Sequence, residues 1–303
     1  MEIEKGKTMK KTILCLMLVL SLLATSAGAE ILNLPLDFEP APRPQGDYPA
    51  QRNTEGYDHY EDPSITADYE MVISKEWQIT YYKARVKIAN ASQLRTAAAS
   101  TFDKKALAPT QTIARRMNAV VAINGDYYTG NAGRYVLRQG QVFRDSMAAN
   151  QDILLIDEDG DFHIVMAEDH PEEMDKTTFN GKKIVNALCF GPALVKDGEV
   201  VADLNKAQKQ SNPKSGEQRI AICQMGPLDY MVITVAHWGM TLEGFAKFVA
   251  SFEGVQQAYN LDGGNSCHIV FMGNWRNKIN TQGGQDYRAI PDIVYFASAY
   301  QPD

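Results

Sequence analysis

Cysteine is scarce and badly placed for cross-linking. Of four cysteines in 303 residues, Cys15 falls in an apolar N-terminal run, leaving Cys189, Cys223 and Cys267. An odd number cannot pair completely, so this is not a disulfide scaffold, and a core of ordinary size must hold the fold. No Cys-x-x-Cys pair occurs, and the five histidines (59, 163, 170, 237, 268) lack the spacing of a zinc site. Long apolar runs are also missing. The run Ile13 to Leu23 is too short to span a bilayer, and no later stretch reaches eighteen apolar residues. Positive charge is deficient too. With 30 Lys+Arg against 37 Asp+Glu and no basic cluster, nucleic acid is excluded as a natural partner.

The N-terminus reads as an export signal. Lys5, Lys7, Lys10 and Lys11 precede the apolar run, and Ala27-Gly28-Ala29 supplies a small-x-small cleavage site. Cleavage near Ala29/Glu30 is expected to leave a secreted or cell-envelope protein with no transmembrane segment. Leu14 before Cys15 does not fit an acylation site. Removing 1–29 takes away four lysines and two glutamates, so the formal net charge moves from −7 to −9. An anionic substrate must then meet individual arginines.

Residues 30–66 hold Pro35, Pro40, Pro42, Pro44, Pro49 and Pro63. They read as an extended lead-in that Tyr57, Tyr60 and Tyr69 could pin. From 67 to 303 the chain reads as one α+β domain, a mixed, largely antiparallel sheet with a few packed helices. Hairpins are expected for Tyr135 to Phe143 about Gln139-Gly140, Ile153 to Met166 about Asp159-Gly160, and Ala193 to Val201 about Asp197-Gly198. A fourth joins Arg219 to Cys223 with Tyr230 to Ala236 about Gly226-Pro227. Helices are expected over about 110–118 and after an N-cap at Thr241, where Leu242, Phe245, Phe248, Val249 and Phe252 share one face.

Asn260-Leu261-Asp262-Gly263-Gly264-Asn265-Ser266 sets a carboxylate between amides, adds two glycines and ends on a hydroxyl. A helix-like segment lies ahead of it and a strand, from His268, behind. It reads either as a site or as a tight corner. Asn124-Gly125-Asp126, after the buried run Ala119 to Ile123, has the same two readings. Arg219 and Arg288 stand at strand starts, each a planar fork suited to phosphate or carboxylate. Two apparent motifs fail. Asp157 to Asp161 begins like a calcium loop, but Phe162 occupies the glycine position. Gly264-Asn265-Ser266-Cys267-His268 lacks the last glycine of a nucleophile elbow, and no helix is expected after it.

In order, Ile123 to Tyr127, Gly191 to Gly198, Arg219, Gly239-Met240-Thr241-Leu242 and Asn260 to Ser266 resemble the phosphodiester glycosidase family over roughly residues 75–298. The family usually has a third glycine at Asn265, Ser or Thr at Cys267, Thr at Ile220 and Asp-Gly at His237-Trp238. The resemblance implies hydrolysis of a sugar-1-phosphodiester without a cofactor. Asp262 would serve as nucleophile or base and Asp126 as its partner. Arg219 and Arg288 would hold phosphate, and Asn124, Asn260, Ser266 and His268 would face the sugar. Gly263 and Gly264 would let backbone amides approach it. The alternative, prompted by the departures, is a non-catalytic glycan- or phosphoglycan-binding protein using the same cleft.

Overall fold

Type I′ hairpin turns need two consecutive residues with positive φ, and the described residues supply four such pairs. They are Gln139-Gly140 (48°, 74°), Asn180-Gly181 (50°, 80°), Asp197-Gly198 (53°, 82°) and Met272-Gly273 (46°, 71°). In the computed structural model these turns organise three sheets. The structure describes residues 30–48, 56–130, 133–146, 151–169, 177–202, 204, 214–236, 239–277 and 287–302. The expected leader, His170 and the His237-Trp238 pair lie outside the described residues. Ile31–Tyr300 forms one compact unit. Met1–Glu30 with Gln301–Asp303 forms another, in which Glu30, Gln301 and Pro302 are described.

The largest sheet runs, edge to edge, through Glu199–Val200, Ala193–Lys196, Gln257–Asn260, Ile220–Gly226, Asp229–Val235, Ile79–Ile88, Ile65–Ser74 and Tyr57–Asp62. A five-stranded sheet runs through Asn274–Trp275, Ile269–Phe271, Ala119–Asn124, Asp292–Ala297 and Leu94–Ala98. A third runs through Phe162–Val165, Ile153–Asp157, Lys182–Leu188, Val136–Arg138 and Gln141–Arg144, with Thr178–Phe179 on Lys182–Leu188. All pairings in these sheets are antiparallel.

Strand alternation divides the apolar side chains into layers. Ile220, Ile222, Tyr230 and Val232 of the large sheet share a core with Ile123, Ile269, Phe271, Val294 and Phe296 of the five-stranded sheet. The opposite large-sheet residues, Ala221, Cys223, Met231, Ile233 and Val235, pack under the helix Leu242–Ala250. Ala122, Val270, Ile293 and Tyr295 pack under the helix Thr110–Arg116. The central layers are therefore two sheets face to face, each backed by one helix. Thr241 caps its helix as expected, accepting the Gly244 N–H at 3.1 Å.

The lead-in is tied down through residue 48. Arg95, almost fully buried, donates to the Pro35 carbonyl at 2.9 Å and to the Asp37 carbonyl and carboxylate at 3.0 Å. The Asn118 amide donates to the Ala41 carbonyl at 2.7 Å, and the Tyr60 hydroxyl accepts the Gly46 N–H at 2.9 Å. Tyr57–Asp62, within the expected lead-in, is already the edge strand of the large sheet. One expected order is corrected. A strand, Gln257–Asn260, stands between the helix and the Asp262 turn. Four residues are too few to show a period of two, and the adjoining helix dominates the pattern.

Phe248 anchors the outer helix against Trp77, Tyr81 and Phe252, with ring centroids 5.1–5.3 Å apart. Phe248→Ala should lower unfolding free energy by about 3–5 kcal/mol. Urea denaturation will measure this, and a loss below about 1 kcal/mol would show that the helix is not anchored there.

Candidate active site

The three sheets meet where the strand Ala119–Asn124 ends. Gly125 follows, and a Cβ there would lie 2.3 Å from the Asp292 carboxylate. Only glycine lets this backbone pass so close to an acid. Asp292 opens the neighbouring strand, and its carbonyl accepts the Gly125 N–H at 2.8 Å.

Asp126 then turns inward. One carboxylate oxygen accepts from Arg138 at 2.8 Å and the other from the Cys189 N–H at 2.8 Å. Arg138, fully buried at the end of Val136–Arg138, also reaches Asp292 at 3.4 Å and donates to the carbonyls of Ala187 and Leu137. Its guanidinium lies 5.5 Å from the Phe102 ring centroid. Burial pushes the Asp292 carboxyl up to about 7, and the Asp126 charge adds to this while Arg138 opposes it. One guanidinium thus faces two carboxyls, and Asp292 is the one held protonated into the neutral range. Arg134 closes the cluster by donating to the Cys189 carbonyl at 2.6 Å.

Asp262 follows the large-sheet strand Gln257–Asn260 and is 9% exposed. Burial raises its carboxyl above the ordinary range. A hydrogen bond from Ser266, the Arg288 charge and the Gly263 N–H oppose the rise, and the Asp126 charge reinforces it. The Arg288 guanidinium lies 3.4 Å from the Ser266 hydroxyl. Asp262, Ser266 and Arg288 thus form one group, with Asp126 in electrostatic reach.

Asn124 pins this turn to the five-stranded sheet. Its amide nitrogen donates to the Asp262 carbonyl at 2.8 Å and its oxygen accepts the His268 N–H at 3.2 Å. Asn260 donates to the Gly191 carbonyl at 2.8 Å, beside the cis Gly191–Pro192 bond. Gly263 packs on the Gln218 carbonyl, 2.9 Å from where a Cβ would sit, whereas Gly264 has φ +60° and open space around it. The turn therefore has two glycines for two reasons: one admits a backbone neighbour and the other supplies the left-handed angle.

His268 is packed. Its Nδ1 lies 2.5 Å from the Thr110 hydroxyl, and its ring meets Trp275 and Tyr287, which stack at 4.0 Å. Burial, with the Arg288 charge adding, lowers its pKa to about 3, so the ring is neutral at ordinary pH. Arg219 is also buried. It donates to the carbonyls of Met240 and Ser215 at 3.2 Å and lies 3.5 Å from Glu217. Its guanidinium thus braces the chain on the side of the turn where Gln218 accepts the Gly264 N–H. The three described cysteines are free and buried, and burial raises each thiol, which leaves them unreactive. Among the described residues no group of three or more acidic, histidine or cysteine side chains is arranged to hold a metal.

Sequence reasoning missed Arg138, Asp292, Arg134 and Thr110. Arg138 stands beside a Gln-Gly turn and Asp292 follows Pro291, and neither stretch carries a local motif that marks a site. The close approach at Gly125 is the local trace of Asp292, but it needs the neighbouring strand to become visible.

Removing Arg138 would strand two carboxyls in the interior. Arg138→Met should cost about 3–5 kcal/mol in chemical denaturation, as for other broken buried pairs. Asp292 has a sign that can be checked. Its folded pKa exceeds the unfolded value of about 3.9, so the native state holds a proton that the unfolded chain releases. Its contribution is complete below about pH 4 and lost as pH rises through about 7. Asp292→Asn should flatten that fall in stability, and an unchanged slope would show that Asp292 does not carry it.

A family model described as phosphodiester glycosidase matches residues 117–297. Among solved structures, the chain is similar to the zebrafish N-acetylglucosamine-1-phosphodiester α-N-acetylglucosaminidase catalytic domain, auto-inhibited by its pro-peptide. The TM-score is 0.60 at 15% identity, covering 88% of this chain and 98% of that one. It is also similar to a hypothetical protein from Synechocystis, with TM-score 0.50 at 15% identity, covering 82% of this chain and 65% of that one. At such identity the likeness is one of fold. No curated protein sequence matches the chain. The family match spans both strand ends that carry the buried carboxylates, and the chain belongs to the phosphodiester glycosidase family.

Proposed function

We propose that this protein is an exported hydrolase that cleaves the glycosidic bond between a sugar and a phosphate in a cell-envelope or extracellular phosphodiester glycan. One observation carries the reading. Asp262 is a largely buried carboxyl with a raised pKa, held between the Ser266 hydroxyl and the Arg288 charge, with Asp126 in electrostatic reach. The family membership supports the reaction type, and the phosphodiester in the zebrafish enzyme's name supports the substrate class. Export rests on the leader expected in residues 1–29.

The leaving group in such a reaction is a phosphate monoester with a second pKa near 6, so its departing oxygen tolerates negative charge. An ordinary glycosidase must protonate an alkoxide and keeps a carboxylic acid for that purpose. Here a guanidinium can do much of the same work by electrostatic stabilisation. Arg288 is the candidate for it, with its guanidinium 3.4 Å from the Ser266 hydroxyl beside Asp262. Asp262 attacks the anomeric carbon or takes a proton from water. Asp126, held in place by Arg138 and the Cys189 N–H, is its partner carboxyl. Arg219, Asn124 and His268 build the walls.

Mature protein should release free sugar from a sugar-1-phosphodiester, and Asp262→Asn should reduce kcat by about 10²–10⁴-fold. Full activity in that variant would remove Asp262 from the mechanism. Binding without turnover by the wild-type protein would instead favour a non-catalytic glycan receptor. The acid limb of kcat/KM should lie above the ordinary carboxylate range, because Asp262 must ionise to act and burial raises its pKa. Ser266→Ala removes a hydrogen bond that favours the carboxylate, so the limb should move further up. A pH–rate profile that stays in place would place Ser266 outside this role.

A further inference from the structure

Eight non-glycine residues among those described have positive φ. Seven of them have a local reason. Gln78, Gln139, Asn180, Asp197, Leu228 and Met272 lie in the loops of antiparallel hairpins, and Asn118 follows the helix Thr110–Arg116. Tyr127, at φ 57°, has none. It is the first residue of a turn closed by the Gly130 N–H on the Tyr127 carbonyl at 3.1 Å. A β-turn constrains its two central residues and leaves φ of the first one free. A bulky side chain in the left-handed region is an outlier, and such strain collects at ligand clamps where surrounding structure holds it.

Burial does not repay this strain, because Tyr127 remains 37% exposed. The turn is nevertheless shaped around the ring. A Cβ on Gly130 would come within 2.1 Å of the ring, so glycine at this position makes room for it. The ring is thus seated on one side and open to solvent elsewhere, one residue after the buried, ion-paired Asp126.

We infer that Tyr127 is a specificity-determining platform that takes the C–H face of the pyranose ring in the substrate. This rests on the function proposed above. The face of an aromatic ring carries negative quadrupole charge and is apolar, which suits the polarised C–H groups on one side of a pyranose. With Arg288 on the phosphate side, Tyr127 sets the sugar side of the reacting bond.

The test compares Tyr127→Ala, Tyr127→Phe and Tyr127→Gly in the full mature chain, using a panel of methyl phosphodiesters of pyranose-1-phosphates. Tyr127→Ala should raise KM at least tenfold with kcat within about threefold of wild type, and Tyr127→Phe should stay close to wild type. Tyr127→Gly should show the same KM defect yet a higher Tm than Tyr127→Ala, because glycine relieves the backbone strain. An unchanged KM in Tyr127→Ala overturns the inference, as does a Tm for Tyr127→Gly below that of Tyr127→Ala. If wild-type protein binds the diesters without turnover, the hydrolase reading falls and the platform is judged by the same tenfold criterion on Kd from calorimetry. If wild-type protein neither binds nor turns over any member of the panel, both readings are overturned.

Discussion

The interaction on which the site depends is the fully buried Arg138 guanidinium between Asp126 and Asp292. Arg138 comes from one sheet and both carboxyls come from another, so the contact fixes how two sheets meet. A buried cation is costly unless its donors are used, and here the two terminal nitrogens are spent on Asp126, Asp292 and two backbone carbonyls, while Nε has no partner. Two acids against one base leave an excess of negative charge. The protein resolves it by keeping a proton on Asp292, away from water. Asp126 pairs with Arg138 at 2.8 Å in the interior, and its charge adds to the rise of the Asp262 carboxyl.

A second constraint transmits this arrangement to the reacting group. Asn124 belongs to the same strand end as Asp126 and holds the Asp262 carbonyl with one end of its amide and the His268 N–H with the other. The large sheet thus delivers Asp262 and the five-stranded sheet decides where it stops. Gly263 on the Gln218 carbonyl and Arg219 on the Met240 and Ser215 carbonyls support the turn from the other side. Side chains that from sequence could be substrate ligands, such as Asn124 and Arg219, here bond to the backbone of the site. Asp262, Ser266 and Arg288 remain as the group whose partners are one another.

Much of the fold was legible because hairpins are local. Gln139-Gly140 and Asp197-Gly198 announce their turns in two letters, and Thr241 announces a helix start. Met272-Gly273 forms the same kind of turn without an Asn or Asp to mark it, so that hairpin was not read. Gln257–Asn260 was hidden because a four-residue strand carries less pattern than the helix before it. In the site, Asp262 and Asp126 stood out because each sits among amides and glycines. Asp292 did not, because its signature is a collision with Gly125, over 160 residues earlier in the chain.

What the amino-acid order determined alone was the set of elements, the alternation that sorts apolar side chains between layers, and the motifs that place the chain in its family. These follow from backbone sterics and side-chain periodicity, which act over a few residues. Tertiary structure decided which charges meet. Only packing three sheets together puts Arg138 between two acids, raises the Asp292 and Asp262 carboxyls by excluding water, and makes His268 a neutral wall. Electrostatic character depends on burial and on neighbours distant in sequence, and neither exists until the chain has folded.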